Sequence, residues 1–334
     1  MLTRLDRRTI LGAALLAPAL AYPARAGARQ DESDTATFSY PIGLPGQLPG
    51  DGFLIRHGFT TENTWYLPGH WHTGEDWYAI DGDTAGAAVL AIGDGEVVFA
   101  GSEYPGRVVI VRHEPDLYSM YGHLDPALSV AEGETVTRGQ VLGTVLDRGD
   151  DIPNHLHVEV RTFFTTAEVN GATPRYGFQC GPDCPPGPGY WPIDAPDLPA
   201  DQGWLNPTHF INDRAFPAPT DASDSIGSVV VARDPSTDDI EVWSAPENDA
   251  GATRSGTLPP DPGATFPLLA IDSGDPESTT TGADAYDVWY QVETPLDGPG
   301  WVRAVTASDI ETGGDGRPSA VRVKLVPEID IVTE

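Results

Sequence analysis

Lysine is almost missing from this chain: Lys324 is the only one in 334 residues, and 19 basic side chains stand against 50 acidic ones. A formal net charge of -31 makes nucleic acid and anionic lipid surfaces unfavourable partners and points instead to a solvated acidic coat. Long apolar runs are missing after the first 26 residues, so no later segment is expected to cross a bilayer as a helix. Helical periodicity is nearly absent as well, which argues against helical bundles and parallel α/β folds. Cysteine is reduced to Cys180 and Cys184, in "CGPDCPPGPG", too few for a disulfide-built scaffold and without neighbours for a cysteine metal site.

Glycine and proline, by contrast, are abundant, at 37 and 32 residues. The chain opens with Arg4, Arg7 and Arg8, an apolar run from Ile10 to Ala21, and Ala24-Arg25-Ala26. This is the pattern of a signal peptide over residues 1–26, with "DRRTILG" resembling a twin-arginine exporter signal. The expectation is a secreted or cell-envelope protein in which Cys180 and Cys184 close a local disulfide loop. Residues 27–64 are rich in Pro and Gly and read as irregular or short-stranded. From Trp65 to Arg161 short apolar runs such as "AAVLAI", "GEVVFA", "RVVIVRH" and "QVLGTVL" alternate with turn residues, predicting an all-β domain. Residues 162–203 form a Pro/Gly/Cys insertion whose proline density forbids a central strand. The domain is expected to run over 65–215, followed by a linker at 216–225, a second β-rich unit at 226–310 and a tail at 311–334.

The chemistry gathers at "HLHVEV". In a strand, His155, His157 and Glu159 share one face while Leu156, Val158 and Val160 take the other. The Cα atoms of the two histidines then lie roughly 6.6 Å apart, so both imidazoles reach one small site. Taken alone, this is also the pattern of a polar outer strand face. "WHTGEDW" adds His72 and Asp76, but extended chain would hold them about 13 Å apart, so the backbone must bend, and Gly74 stands where a bend is needed. "YSMYGHLDP" adds His123 at the end of an apolar stretch. Alone, the His72 and Asp76 spacing is weak evidence that chance would also produce, and His123 reads as a strand-end histidine with no role.

Together, "HTGED", "GEVVFAG", "VVIVRHEPDLYSMYGHL", "VAEGETVTRGQVLGTV" and "HLHVEV", with "GWLNPTHFI" after the insertion, resemble the lysostaphin/LytM-type zinc metallopeptidases. The resemblance spans about residues 65 to 161 and resumes at 204 to 210. It implies an antiparallel β-sheet groove holding one Zn2+, with His72, Asp76 and His157 as metal ligands and His123 and His155 as the catalytic pair. "GDDIPN" before the histidine pair departs from the family's usual turn, and the insertion stands where it could line or cap the cleft. Glu159 is expected to be a solvated carboxylate or an acceptor behind the site. His70 falls outside the motif, and His57, His113 and His209 have no partners by spacing and read as structural or exposed.

The C-terminal stretch, with "IEVWSAPENDAG", "DVWYQVETPLDGPGWVRA" and their flanks, resembles a bacterial SH3-like barrel, which implies either a cell-wall-peptide binder or a plain stabilising module. The combined expectation is a zinc-dependent endopeptidase acting on peptidoglycan cross-links or stem peptides. The alternative is a catalytically restrained protein on the same fold that binds the wall or regulates its remodelling. Two histidines and a carboxylate also make the facial triad of non-haem iron oxygenases, but neither its His-x-Asp spacing nor a co-substrate anchor is present.

Overall fold

The computed structural model describes residues 38–326 except 48, 63–66, 102–105, 150–151, 165–188, 216–226, 232–238, 247–250, 262, 279–283, 297 and 310–317. The expected signal peptide, the Cys180 and Cys184 pair, most of the insertion and the 216–225 linker lie outside the described residues. Strands in the first half are β1 (Ile42–Gly43), β2 (Phe53–His57), β3 (His70–His72), β4 (Glu75–Ala79), β5 (Ala88–Leu90), β6 (Gly95–Gly101) and β7 (Arg107–Glu114). They continue with β8 (Leu117–Leu124), β9 (Thr135–Val136), β10 (Val141–Thr144), β11 (Leu156–Arg161), β12 (Tyr190–Pro192) and β13 (Trp204–Leu205).

The main sheet is antiparallel, in the order β2-β4-β11-β8-β7-β6-β9, with β13 also paired to β11. Sequence-adjacent hairpins build one half of it, while β2, β4 and β11 come together from distant stretches. Strand β2 lies in the Pro/Gly-rich segment before residue 65, where the pattern predicts only irregular or short-stranded chain, and it forms the sheet's edge beyond β4. A three-stranded sheet, β1-β5-β10, and a two-stranded ribbon, β12-β3, flank the main sheet.

Residue alternation sorts the two faces of β11 as expected. Leu156, Val158 and Val160 enter the apolar core with Trp77, Tyr121 and Val109, while His155, His157 and Glu159 face the other way. Every residue of β11 is nonetheless buried, because the second face is covered too.

Helix α1 (Pro207–Ala215) follows β13. Proline occupies its first position, and the Asn206 side chain accepts the His209 amide at 2.9 Å, a start signal too local to register as helical periodicity. The remaining strands are β14 (Gly227–Val231), β15 (Ile240–Trp243), β16 (Arg254–Leu258), β17 (Thr265–Ser278), β18 (Asp284–Thr294), β19 (Gly298–Val305) and β20 (Val323–Val326). They form one antiparallel sheet in the order β16-β15-β19-β18-β17-β14-β20. Strands β17, β18 and β20 pack against β2, and one continuous set of buried apolar side chains runs from Phe38 to Val323.

Gly74 has its own steric reason to be glycine. Its φ is not among the positive ones; rather, a Cβ there would collide with the Val158 carbonyl oxygen on β11 and press on the His157 ring. The site-bearing strands therefore approach more closely than any side chain permits. Gly74→Ala is expected to cost about 1–3 kcal/mol, seen as a lower urea midpoint with unchanged slope; an unchanged midpoint would contradict this close approach.

Candidate functional site

Register brings the distant motifs together. On β11, His157 lies opposite Asp76 of β4 on one side and opposite Gly122 of β8 on the other. Gly122 packs on the His157 side chain at ordinary contact distance, and His123 follows it directly. Strand β3 leaves the main sheet to pair with β12, and Thr73-Gly74 turns the chain back into β4. That turn is the bend that the His72 and Asp76 spacing demands.

All five expected residues converge. His72 Nε2, His157 Nδ1 and Asp76 Oδ1 form a triangle with sides of 3.0, 3.0 and 3.3 Å. His155 Nε2 lies 3.9 Å from the same Asp76 oxygen. The His123 ring centroid is 4.5 Å from that of His155 and 6.2 Å from that of His157. His123 holds a left-handed backbone, φ 61°, a conformation that L side chains seldom adopt and that costs of order 1 kcal/mol. His72, Asp76, His155 and His157 are all buried.

Acceptors behind the rings set the tautomers. A carbonyl oxygen can only accept, so His72 Nδ1–H donates to Gly58 O at 3.1 Å and His155 Nδ1–H donates to Pro153 O at 2.9 Å. Each Nε2 is left with its lone pair towards the cluster. His157 is turned round: its Nε2 faces Glu159 Oε1 at 3.3 Å and its Nδ1 faces Asp76. The His72 and His157 nitrogens of the triangle stand 3.0 Å apart beside a carboxylate oxygen, an arrangement that positive charge at the cluster, a proton on His157 Nδ1 or a cation, stabilises.

The titration behaviour follows from the same contacts. Burial opposes charge on Asp76, yet His72, His155 and the hydrogen bonds from His157 and His57 hold its carboxyl well below the usual range. Burial also opposes charge on His157, but Asp76 and Glu159 outweigh it and push this imidazole up to about 9. Burial pulls His155 down, against Asp76, so this ring favours the neutral form.

Glu159 is the acceptor behind the site rather than a solvated group. It is fully buried and receives Thr73 Oγ1–H at 2.7 Å, Trp204 Nε1–H at 2.9 Å and Arg161 Nη1–H at 3.2 Å besides facing His157. Burial resists its ionisation, but His157, Arg161 and Thr73 together lower it to about 2. Trp204 reaches it from beyond the insertion, packed against Trp191 with Phe59 and Phe163 around them.

Several participants carry no spacing signal. His57, expected to be structural or exposed, is fully buried; its ring stacks on His72 at 4.0 Å, and its Nδ1 lies 3.4 Å from Asp76 Oδ2. His57, His72 and Asp76 also offer ligand atoms all within 4.8 Å of one another. Tyr190, at the returning end of the insertion, pairs with His72 across the β12-β3 ribbon, its ring centroid 5.6 Å away. Only the pairing of strands far apart in sequence places these residues. His113 spans Asp94 O and Ser119 Oγ at 2.7 and 2.8 Å, away from the cluster, and His70 faces Pro68 O at 3.3 Å.

Residues 70–171 match the model of peptidase family M23. The murein hydrolase activator NlpD of Escherichia coli is 34% identical over 112 residues, which is 30% of this chain and 29% of that protein. Lipoprotein NlpD of Yersinia enterocolitica is 36% identical over 78 residues, 23% of this chain and 78% of the relative. Among solved structures, lysostaphin of Staphylococcus simulans superposes with a TM-score of 0.31 at 16% identity, covering 81% of this chain and 92% of that one. The chain belongs to peptidase family M23, and it spans under a third of the length of the Escherichia coli relative.

Glu159 and Arg161 form a buried pair, so removing one charge strands the other. Glu159→Gln is expected to cost roughly 3–5 kcal/mol, and Glu159→Gln combined with Arg161→Met to recover a substantial part of it. Equal losses in single and double variants, measured by denaturant unfolding, would rule out this coupling.

Proposed function

We propose that this protein is a zinc-dependent endopeptidase of the cell envelope that hydrolyses peptide bonds in peptidoglycan cross-links or stem peptides. In this reading His72 Nε2, Asp76 Oδ1 and His157 Nδ1 hold the metal, and His123 and His155 are the catalytic pair. The observation that carries it is the triangle of donor atoms. Ligand bonds of about 2.0–2.1 Å in tetrahedral geometry set ligand atoms roughly 3.3 Å apart, close to the 3.0, 3.0 and 3.3 Å found here. Three protein ligands rather than four suit a catalytic ion, which supplies Lewis acidity and makes water at its open position easier to deprotonate.

The protein's own groups account for the remaining work. His155, neutral and with Nδ1–H committed to Pro153, offers Nε2 as proton acceptor at the cluster's edge. His123, whose ring lies beside that of His155, takes in this reading the part of hydrogen-bonding the oxygen on which negative charge grows as the carbonyl is attacked. Glu159 holds His157 in the orientation that leaves its Nδ1 lone pair for the metal. Around this domain, taken as residues 65–215 with its 162–203 insertion, the reading places a signal peptide at 1–26 and an SH3-like wall-binding module at 226–310.

A second reading, a restrained protein that binds the wall or regulates its hydrolysis, draws support from two observations. The Escherichia coli relative is named as a hydrolase activator, and the returning limb of the insertion lies directly on His72. The complete ligand and catalytic set favours the enzyme.

The test is release of peptide fragments from purified sacculi, followed by mass spectrometry. Zinc-loaded protein is expected to release fragments with new peptide termini. Chelation or His72→Ala should abolish release, whereas His155→Ala should lower kcat by about 10²–10⁴ with zinc content retained. Binding to sacculi without any cleavage would support the regulatory reading instead, and cleavage that survives chelation would eliminate the metal.

A further inference from the structure

The SH3-like reading treats the C-terminal sheet as an accessory module beyond a linker, but its packing bears on the metal-binding cluster. The Gly58 carbonyl that fixes the His72 tautomer belongs to a tight turn. It also accepts Thr61 Oγ1–H at 2.8 Å, while Thr60 N–H and His72 N–H bond His72 O and Thr61 O, both at 2.9 Å. The turn is therefore latched to β3 at His72 itself. Its outer side is covered by Ile271 of β17: a Cβ added to Gly58 would lie 3.2 Å from Ile271 Cγ2 and 3.3 Å from Ile271 Cβ. Such spacing is tighter than ordinary contact, so a side chain at this position would require Ile271 to give by a few tenths of an ångström.

Ile271 does not stand alone. Directly opposite it on β18 is Tyr290, fully buried, with the Ile55 backbone of β2 beside its hydroxyl and the Glu75 carboxylate near enough to act on it electrostatically. Opposed residues of an antiparallel pair share a face, so Ile271 and Tyr290 form one patch that packs against β2. Glu75, next to Asp76, is in turn held by Thr208 N–H at 3.2 Å and Thr208 Oγ1–H at 2.8 Å. The turn orienting His72, and strand β2 that pairs with the Asp76 strand, are both backed by this one patch.

We infer that Ile271 is a positioning residue for the metal site, acting through the Gly58 carbonyl on the orientation of His72, so that the C-terminal sheet is a built-in part of the catalytic domain's support. The inference rests on the metal reading proposed above. It implies that whatever shifts the C-terminal sheet, including a wall ligand bound to it, changes how well His72 is held.

The experiment uses the full chain and two readouts: zinc affinity by competition with a chromophoric chelator, and exchange of the His72 Nδ1 proton in zinc-free protein by imidazole 1H–15N NMR. Ile271→Ala is expected to weaken zinc binding about tenfold, within the range seen when groups behind a ligand are lost, and to speed His72 proton exchange. Ile271→Val should stay near wild type. Leu258→Ala, in the core at the far edge of the same sheet, should lower the unfolding temperature and leave both readouts unchanged. If Ile271→Ala does not fold, Gly58→Ala carries the comparison, with the same direction expected. Wild-type zinc affinity and exchange in Ile271→Ala would overturn the inference, as would an equal effect from Leu258→Ala. A wild type that takes up no zinc would overturn the metal reading, and His72 exchange would then decide this inference by itself.

Discussion

Everything at the site depends on His157 lying between two carboxylates. Asp76 faces one ring nitrogen and Glu159 the other, and β11 is held in register with β4 and β8 so that no other residue can take that place. A slip of one residue would turn Leu156 or Val158 towards the cluster and send the histidines into the apolar core. The core packing of Leu156, Val158 and Val160 is therefore what specifies the polar site on the reverse face. Hydrophobic burial fixes the register, and the register fixes the chemistry.

Around that strand the protein has assembled a layered set of acceptors. Gly58 O, Pro153 O and Glu159 each hold one ring nitrogen of His72, His155 and His157, and each leaves the opposite nitrogen directed at the cluster. Asp76 lies against His57, His72, His155 and His157. The buried charges come with partners: Arg161 answers Glu159, and the imidazoles answer Asp76. Such a network tolerates little partial loss, because every member removed leaves another buried polar group unsatisfied.

The returning limb of the insertion and the C-terminal sheet approach this network from different directions. Tyr190 reaches His72 along the β12-β3 ribbon, while Trp204 reaches Glu159 from β13. Ile271 and Tyr290 press from behind β2 and the Gly58 turn. Segments that read from composition as loop, insertion or appended module thus contribute side chains within a few ångströms of the cluster.

How much of this was legible varies with the distance over which each signal acts. Alternation in "HLHVEV" separates core from site face because strand geometry is local, and the order of "HTGED", "YGHL" and "HLH" carries the family resemblance that points to His72, Asp76, His123, His155 and His157. The acidic surface, the all-β character and the need for a bend at Gly74 are equally local. His57, Thr73, Trp204, Tyr190 and Ile271 left no trace of their roles, since an isolated histidine or isoleucine carries no period and no spacing. Their positions follow from antiparallel pairings between strands far apart in sequence, as where Tyr190 of β12 meets His72 of β3, and from one sheet pressed on another. The sequence by itself determined which side chains could bind and react. Tertiary structure alone decided which nitrogen of each ring faces the cluster, because that choice belongs to acceptors supplied by other strands.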